Sequence, residues 1–252
     1  MKAVIYLYHG SRVEAAKEEA IQLFEKVRKH VDIELQTHCF LELQEPDLSQ
    51  AVEKVIAKGA TQVHILPVLL LTAGHAKRDI PELIHQEEEK YPHIPFRYGR
   101  AIEIDPLMVD VVVDQIYQTT TSVEGYDLLF VGRGSSDIDA INDTETIVQM
   151  LRQRFPFQTI EKSFLAASEP KFESYLEKKV LEQEKSMIVI PYLLFTGKLI
   201  EGMQQFIHQL NQKTDQSIMM TDYLSHHDNV VTVLIDRVNE LVVGEDAQCN
   251  SG

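Results

Sequence analysis

The segments ILPVLLLTAGH, at residues 65–75, and VIPYLLFTGK, at residues 189–198, decide the fold. Each is a short apolar run that ends in small and polar residues, and the two keep a proline, two leucines and a threonine in register. Such a run is typical of a buried strand in a parallel sheet. The two segments therefore predict the same strand in two copies, 124 positions apart.

The same offset of 124 positions aligns two further blocks of the chain. The first block pairs Gly10-Ser11 with Gly134-Ser135. The second block pairs Phe40-Leu41 with Phe164-Leu165 and Glu45-Pro46 with Glu169-Pro170. All α/β sequences share a hydrophobic pattern, but the class alone does not repeat Gly-Ser and Glu-Pro pairs at strand ends. We infer an internal duplication joined near residues 119–126, with domains at 1–122 and 123–252.

Short apolar runs alternate with longer amphipathic stretches along the whole chain, which indicates parallel strands joined by helices. The predicted strands are 3–8, 33–39, 62–71, 95–98, 127–133, 158–164, 186–194 and 217–222. We therefore expect an α/β protein of two similar flavodoxin-like, or Rossmann-like, domains. Each would hold a parallel four-stranded sheet of order 2-1-3-4.

The composition excludes several classes of protein. A formal net charge of −15 argues against nucleic-acid binding. The longest apolar run, 65–73, is about half the ~20 residues of a membrane helix, and the N-terminus has no signal-peptide layout. Two cysteines, Cys39 and Cys249, do not make a disulfide framework or a Cys-ligated metal site. We expect a monomeric, cytoplasmic protein with no nucleic-acid or membrane partner.

Three polar side chains follow the first three predicted strands. His9 follows the first strand, Glu42 the second and His75 the third. The carboxyl ends of neighbouring parallel strands, ~4.8 Å apart, meet at one edge of the sheet, where ligands bind. Imidazole and carboxylate suit Fe²⁺ or Co²⁺, and an incompletely filled coordination sphere leaves room for incoming ligands.

The second copy lacks these groups. Arg133 stands at the position of His9, Ala166 at that of Glu42, and Lys198 opposite His75 after a one-residue gap. We infer that the first domain carries the metal site and that the degenerate second domain closes the cleft. Five basic residues would offset an anionic ligand: Arg12, Lys77, Arg78, Arg133 and Lys198.

Other interpretations of the same residues, most of them structural, remain open. A histidine at a strand end can simply cap a loop, Glu42 can be a solvated acid, and Glu45, retained in the second copy, can serve the loop. Ser11 could be a hydrolase nucleophile, but the G-x-S-x-G elbow is absent. Three further histidines are expected to be solvated: His208, His226 and His227.

Taken together, these motifs resemble the sirohydrochlorin chelatases. The motifs are His9-Gly10-Ser11-Arg12, Phe40-Leu41-Glu42 before Glu45-Pro46, and Leu66-Pro67 running into Leu70-Leu71-Thr72-Ala73-Gly74-His75. The two-domain length, with a degenerate second half, is similar to the bacilli-type ferrochelatase of siroheme synthesis.

The resemblance implies a class II chelatase fold and a lyase that inserts Fe²⁺ into sirohydrochlorin, a tetrapyrrole, to give siroheme. It implies catalysis and metal binding by His9, His75 and Glu42, and substrate contacts at Glu45, Leu70, Leu71, Thr72, Ala73 and Gly74. No cofactor would be permanently bound, and Co²⁺ or Ni²⁺ would substitute for Fe²⁺.

Two alternatives to a ferrochelatase stay open: a cobaltochelatase of cobalamin synthesis and a non-catalytic metal or tetrapyrrole carrier. Long cobaltochelatases carry a His-rich stretch and a Cys-x-x-Cys motif. Neither feature is present here, which favours iron.

Overall fold

The computed structural model describes residues 1–182 and 185–244, and at His75 it describes the backbone only. Cys249 lies outside the described residues. None of the helices in these ranges is long and apolar enough to cross a membrane. Strands and helices alternate in the order β1 (Lys2–Tyr8), α1 (Glu14–Arg28), β2 (Leu35–Phe40), α2 (Leu48–Ala57), β3 (Gln62–Pro67), a π-helical turn (His75–Asp79), α3 (Ile80–Lys90), β4 (Phe96–Tyr98), α4 (Pro106–Thr119), β5 (Tyr126–Gly132), α5 (Ile138–Arg154), β6 (Ile160–Phe164), α6 (Phe172–Glu182), β7 (Ser186–Tyr192), α7 (Lys198–Asn211), β8 (Ile218–Met220), a 3₁₀ turn (Leu224–His226) and α8 (Asp228–Val243).

Each half of the chain forms one parallel four-stranded sheet. The strand order is β2-β1-β3-β4 in the first sheet and β6-β5-β7-β8 in the second. In the centre of the first sheet, Ile5 pairs with Thr37 on one side and with Ile65 on the other. The predicted α/β class, the two parallel sheets and their order are confirmed. The ends of β1, β2 and β3 are consequently neighbours at one edge.

The central strands form the core of each sheet. Every residue of β1 from Ala3 to Tyr8 is at most 2% exposed. This degree of burial is typical of a parallel strand that is covered on both faces. A fully buried isoleucine or leucine contributes about 1.5–3 kcal/mol to stability. The loops at the carboxyl edge therefore start from firmly packed strands.

The compact units of the structure differ in their bounds from the predicted domains, 1–122 and 123–252. The first unit comprises residues 1–103 and 230–244, and the second comprises residues 104–229. The last helix of each repeat causes the difference. Helix α4 packs on α5 and β7 of the second unit. In α8, the buried Arg237 donates through Nη2 to the oxygen of Ile102 in the first unit, at 2.7 Å.

Candidate functional site

The candidate site lies at the carboxyl edge of the first sheet, where β1, β2 and β3 end side by side. His9 follows β1 directly, and Glu42 comes two residues after β2. The Nε2 atom of His9 lies 3.3 Å from Oε1 of Glu42, with 25% and 48% of the two side chains exposed. The structure thus brings two of the predicted metal ligands together where a substrate can reach them.

Gly10 allows the loops after β1 and β2 to approach each other. Its φ of 94° lies in the left-handed region that favours glycine, and a Cβ atom here would overlap the backbone oxygen of Glu42. Two backbone hydrogen bonds join the loops, from Leu41 N to Tyr8 O at 2.8 Å and from Glu42 N to His9 O at 3.2 Å. The contact between His9 and Glu42 therefore depends on this glycine.

The hydroxyl of Ser11 shapes the loop after β1. Its Oγ accepts a hydrogen bond from Val13 N at 3.1 Å, while Ser11 N donates to Oε1 of Gln44 at 3.2 Å. Serine side chains commonly build turns in this way. The hydroxyl is a turn-forming group in this structure, which disfavours the alternative of a hydrolase nucleophile.

The Glu-Pro pair builds the loop after β2. The Glu45–Pro46 peptide bond is cis, and Pro46 O accepts a hydrogen bond from Phe40 N at 2.9 Å. The second copy repeats both features at Glu169–Pro170. Both copies thus keep the pair for the same loop geometry. The side chain of Glu45 is exposed, and its contact with substrate stays a prediction.

A partly exposed segment after β3 contains the other predicted substrate contacts: Leu70, Leu71, Thr72, Ala73 and Gly74. The chain after β4 supports it through two backbone bonds, from Ile102 N to Leu69 O at 2.9 Å and from Glu103 N to Leu70 O at 2.8 Å. The segment therefore offers apolar side chains on a supported backbone, which suits the face of an aromatic ring system.

His75 begins the π-helical turn that leads into α3. Its side chain lies outside the described part of the structure, so its role as a metal ligand stays a prediction. π-helical turns are rare in proteins, and many of those that occur lie at functional sites. In the second unit, α7 begins directly at Lys198, and no π-helical turn precedes it among the described residues.

The first helical hydrogen bond after β3 fixes the correspondence between the two copies. It runs from Lys77 N to Ala73 O at 2.9 Å, and its counterpart runs from Glu201 N to Gly197 O at 3.0 Å. Donors and acceptors both differ by 124 positions. The extra residue of the first copy therefore lies after Lys77, within the π-helical turn.

This register corrects one expectation from the sequence. His75 corresponds to Leu199, whereas Lys198 corresponds to Gly74. The predicted pairing of His75 with Lys198 is wrong, because it placed the one-residue gap before the helix rather than inside its first turn.

The matching edge of the second unit carries none of the three predicted ligands. Their places are taken by Arg133, Ala166 and Leu199. The backbone frame is nevertheless the same, since Ala166 N donates to Arg133 O at 2.9 Å and Gly134 has a φ of 87°. The second unit keeps the loop geometry and lacks the three side chains predicted to be ligands.

No group of three His, Cys, Asp or Glu side chains able to hold a metal ion occurs among the described residues, a set that excludes the side chain of His75. The described side chains thus offer two predicted ligands, His9 and Glu42, whereas a closed structural zinc site uses four protein ligands.

The basic residues expected to offset an anionic substrate are all exposed: Arg12, Lys77, Arg78, Arg133 and Lys198. Lys77 and Arg78 lie in the π-helical turn, directly after His75. A Cβ atom built on Gly74 would lie 3.4 Å from a guanidinium nitrogen of Arg78. Positive charge is therefore present at the edge that carries His9.

The three histidines expected to be solvated all have local partners in the second unit. His227 contacts Oδ2 of Asp114 at 3.0 Å and accepts a hydrogen bond from Asn229 N at 3.1 Å. His208 and His226 are exposed and contact polar side chains four residues away. These contacts serve local structure.

Sequence reasoning missed two residues at this edge, Tyr98 and Glu103. Glu103 accepts a hydrogen bond from Oγ1 of Thr72 at 2.8 Å, and the hydroxyl of Tyr98 donates to Ala76 O at 3.1 Å. Neither lies in a block that the duplication repeats. The sequence could have indicated them by position, because Tyr98 ends the fourth strand and Glu103 follows it at the same edge of the sheet.

A family model described as CbiX matches the chain twice, at residues 3–119 and at residues 127–241. A sirohydrochlorin ferrochelatase from Priestia megaterium is 37% identical over 249 residues, covering 98% of this chain and 93% of the relative. The ferrochelatase of Bacillus subtilis (strain 168) is 32% identical, covering 98% and 94%. A sirohydrochlorin cobaltochelatase from Priestia megaterium is 31% identical, covering 97% and 81%.

Two solved structures of SirB are similar over nearly the whole chain. SirB from Bacillus subtilis with Fe³⁺ has a TM-score of 0.88 at 32% identity, covering 98% of both chains. The sirohydrochlorin chelatase SirB from Bacillus subtilis subspecies spizizenii, in complex with cobalt, has a TM-score of 0.85 at 32% identity, covering 98% of this chain and 97% of that one. The double match and these structures agree with a duplicated chelatase-type fold.

Proposed function

The chain belongs to the CbiX family, and from that premise we propose that it is a sirohydrochlorin ferrochelatase. In this reaction Fe²⁺ enters sirohydrochlorin, two pyrrole protons are released, and siroheme is formed. The ferrochelatase relatives, and the similarity to SirB with Fe³⁺, support this assignment.

The observation that carries the proposal is the contact between His9 and Glu42 beside the segment that leads to His75. The same edge of the second unit keeps the backbone and replaces all three residues. Residues needed only to close loops would be expected in both copies. Their restriction to one copy supports a chemical role in the first unit.

Metal insertion requires a base beside the metal, because two N–H protons leave while the ion exchanges its ligands for ring nitrogens. An imidazole accepts protons near neutral pH. We assign His9 and His75 as passing ligands of Fe²⁺ and His9 as the proton acceptor. Glu42, 3.3 Å from His9 Nε2, would stabilise the positive charge that forms on the imidazole and relay the proton to solvent.

The partly exposed segment from Leu70 to Gly74 would face the tetrapyrrole ring, with Glu45 at the neighbouring loop. Sirohydrochlorin carries several carboxylates, and the exposed basic residues would offset their charge against the net charge of −15. Neutralising all five basic residues named above should raise the KM for sirohydrochlorin, and an unchanged KM would remove this part of the proposal.

The proposed partners are therefore the tetrapyrrole and a divalent metal ion. We expect Fe²⁺ as the physiological metal, with Co²⁺ or Ni²⁺ able to substitute. The cobaltochelatase relative and the SirB structure with cobalt support a second candidate, in which Co²⁺ is the physiological substrate. A monomeric, cytoplasmic enzyme stays the expectation from the sequence.

The direct test follows the absorption change of sirohydrochlorin on anaerobic addition of Fe²⁺. We expect wild-type protein to accelerate insertion and His9→Ala to lose about 100-fold or more in kcat. Arg133→Ala, at the corresponding position of the second unit, should retain kcat. If wild type binds sirohydrochlorin and metal without accelerating insertion, the protein is a carrier.

A competition assay separates the two metals. Sirohydrochlorin is supplied with equal concentrations of Fe²⁺ and Co²⁺, and the two products are quantified by their spectra. A larger kcat/KM for Fe²⁺ supports the ferrochelatase, and a larger value for Co²⁺ would replace it with the cobaltochelatase.

A further inference from the structure

We propose that Tyr98 and Glu103 are positioning residues that hold the chain on both sides of His75. They act from β4 and the loop after it, and neither belongs to the predicted set of ligands and substrate contacts. This inference rests on the proposed function, because it assigns the held segment to metal insertion. We call the two residues the β4 clamp.

Glu103 holds the segment before His75. Its Oε1 accepts a hydrogen bond from Oγ1 of Thr72 at 2.8 Å, and its backbone N donates to Leu70 O at 2.8 Å. Glu103 has a φ of 59°, a left-handed conformation that is uncommon outside glycine and asparagine. A non-glycine residue held in this conformation must be fixed by its surroundings. Side chain and backbone together tie the segment to the loop after β4.

A chain of ion pairs fixes Glu103 in turn. Nη1 of Arg100 lies 3.2 Å from Oε2 of Glu103, and Arg100 donates to both carboxylate oxygens of Glu240 at 2.8 Å. These hydrogen bonds lower the pKa of Glu240, so the pair stays charged at neutral pH. Arg237 extends the chain, since it contacts Glu240 at 3.3 Å and is anchored on the oxygen of Ile102. The carboxylate of Glu103 is thereby oriented toward Thr72.

Tyr98 holds the segment after His75. Its hydroxyl donates to Ala76 O at 3.1 Å, inside the π-helical turn. A π-helical turn departs from the regular α-helical pattern of backbone hydrogen bonds, so an outside donor can satisfy a carbonyl there. Burial raises the pKa of Tyr98, which keeps the phenol protonated as a donor. His75 thus lies between two residues, Thr72 and Ala76, that are both held from β4.

No such clamp occurs among the described residues of the second copy. Tyr98 pairs with Ile65 in the first sheet as Met220 pairs with Val189 in the second, so Met220 is the counterpart of Tyr98. Ser225 N donates to Leu194 O as Glu103 N donates to Leu70 O, so Ser225 is the counterpart of Glu103. Methionine cannot donate a hydrogen bond, and the buried Ser225 hydroxyl has no hydrogen-bond partner within the described residues. The clamp is therefore present in the copy that carries His75 and missing from the copy that carries Leu199.

A clamp of this kind matters because a catalytic group must be held close to its productive geometry. A displacement of about 1 Å can cost about 100-fold in rate. Loosening the segment should therefore lower kcat and weaken metal binding. The KM for sirohydrochlorin should rise as well, because the held segment includes the proposed substrate contacts Leu70 and Thr72.

The variants are Glu103→Ala, Tyr98→Phe and the double variant. Ala and Glu have similar backbone costs at positive φ, so Glu103→Ala tests the side chain. Glu103→Gln retains an acceptor for Thr72 and should recover part of the activity. We expect kcat to fall about tenfold for Glu103→Ala, and further for the double variant. Tyr6→Phe is the matched control, since it removes a hydroxyl that contacts Gln36 from the middle of β1.

Hydrogen–deuterium exchange provides a readout that does not depend on activity. The amide of Lys77, which donates to Ala73 O, should exchange faster in the clamp variants, while β1 and β5 keep wild-type protection. If exchange in residues 69–80 is unchanged, the clamp does not exist. If exchange rises and kcat stays at the wild-type value, the clamp has no part in metal insertion. An inactive wild type overturns the proposed function, and the exchange data then still decide whether the clamp holds the segment.

Discussion

The carboxyl edges of the two sheets share one backbone and differ in their side chains. In both, a left-handed glycine, a serine-based turn and a cis Glu-Pro peptide bring the loops after the first and second strands together. The first edge then carries His9 and Glu42, and the second carries Arg133 and Ala166 at the same positions. The conserved part of the duplication is therefore loop geometry, and the altered part is chemistry.

The two edges also differ in how the third loop continues. The first unit inserts a π-helical turn, which Tyr98 contacts at Ala76 and which follows the segment that Glu103 contacts at Thr72. In the second unit α7 begins at Lys198, and no π-helical turn precedes it in the described part of the chain. The left-handed glycine, the turn-forming serine and the cis peptide, which both copies have, can therefore be assigned to loop building. The pair His9 and Glu42 and the π-helical turn, which among the described residues belong to the first copy, can be assigned to the reaction. Matched substitutions in the two copies test this division between loop building and reaction.

The largest effect is expected at the two glycines. Gly10→Ala and Gly134→Ala each place a Cβ atom against a backbone oxygen and force a positive φ on alanine. Each should lower the free energy of unfolding by about 3 kcal/mol, measured by urea denaturation. Gly59→Ala is the control, since its φ is 92° with no atom within 4 Å of the added Cβ, and it should cost about 1–2 kcal/mol.

At a temperature at which both variants are folded, Gly10→Ala and Gly134→Ala should differ in their rates of metal insertion. Gly10→Ala should also impair metal insertion, because it separates His9 from Glu42, while folded Gly134→Ala keeps the wild-type kcat. Losses no larger than that of Gly59→Ala would show that the loop contact is not tight.

Deleting Arg78 should remove the π-helical turn. The buried residues Ala76 and Ile200 differ by 124 positions, and Ile80 and Met203 differ by 123, so the deletion gives the first unit the helix register of the second. We expect a folded protein whose kcat falls about 100-fold, because His75 moves with its backbone. Arg78→Ala, which keeps the length, should change only the KM for sirohydrochlorin. A fully active deletion variant would mean that the turn has no part in the reaction.

Glu42→Ala should reduce kcat about tenfold, less than His9→Ala, because it removes the partner of the proton acceptor and leaves the acceptor in place. The reciprocal variant, Ala166→Glu, adds the carboxylate to the second edge and should leave kcat unchanged. Both are measured by the absorption change of sirohydrochlorin. If Glu42→Ala is as active as wild type, the carboxylate is a solvated loop acid.

The strand order and the duplication were predictable because burial on both faces and repeated turn residues leave a local record in the sequence. The exact ends of the strands were less predictable from the sequence. The predicted strand 62–71 ends as β3 at Pro67, because Leu69 and Leu70 bond to the loop after β4 rather than continue the ladder. The sequence did not predict that α4 belongs to the second unit and most of α8 to the first, since an apolar helix face fits either sheet equally well.

The site was predicted in part, for similar reasons. His9 and Glu42 could be placed together because they directly follow neighbouring strands. The β4 clamp could not, because its hydrogen bonds join Thr72 to Glu103 and Ala76 to Tyr98 across loops that share no sequence motif. The position of the one-residue gap likewise depends on a helical turn whose hydrogen bonds the sequence does not display.

The smallest effect is expected at the two serines, and it tests the division most directly. Ser11 Oγ accepts from Val13 N as Ser135 Oγ accepts from Asp137 N, at 3.1 and 3.0 Å. Ser11→Ala and Ser135→Ala should each cost about 1 kcal/mol of stability and change kcat less than twofold. Because both copies use the hydroxyl for the same turn, equal losses assign it to structure. An inactive but folded Ser11→Ala beside an active Ser135→Ala would instead make Ser11 a reacting group and return the hydrolase alternative.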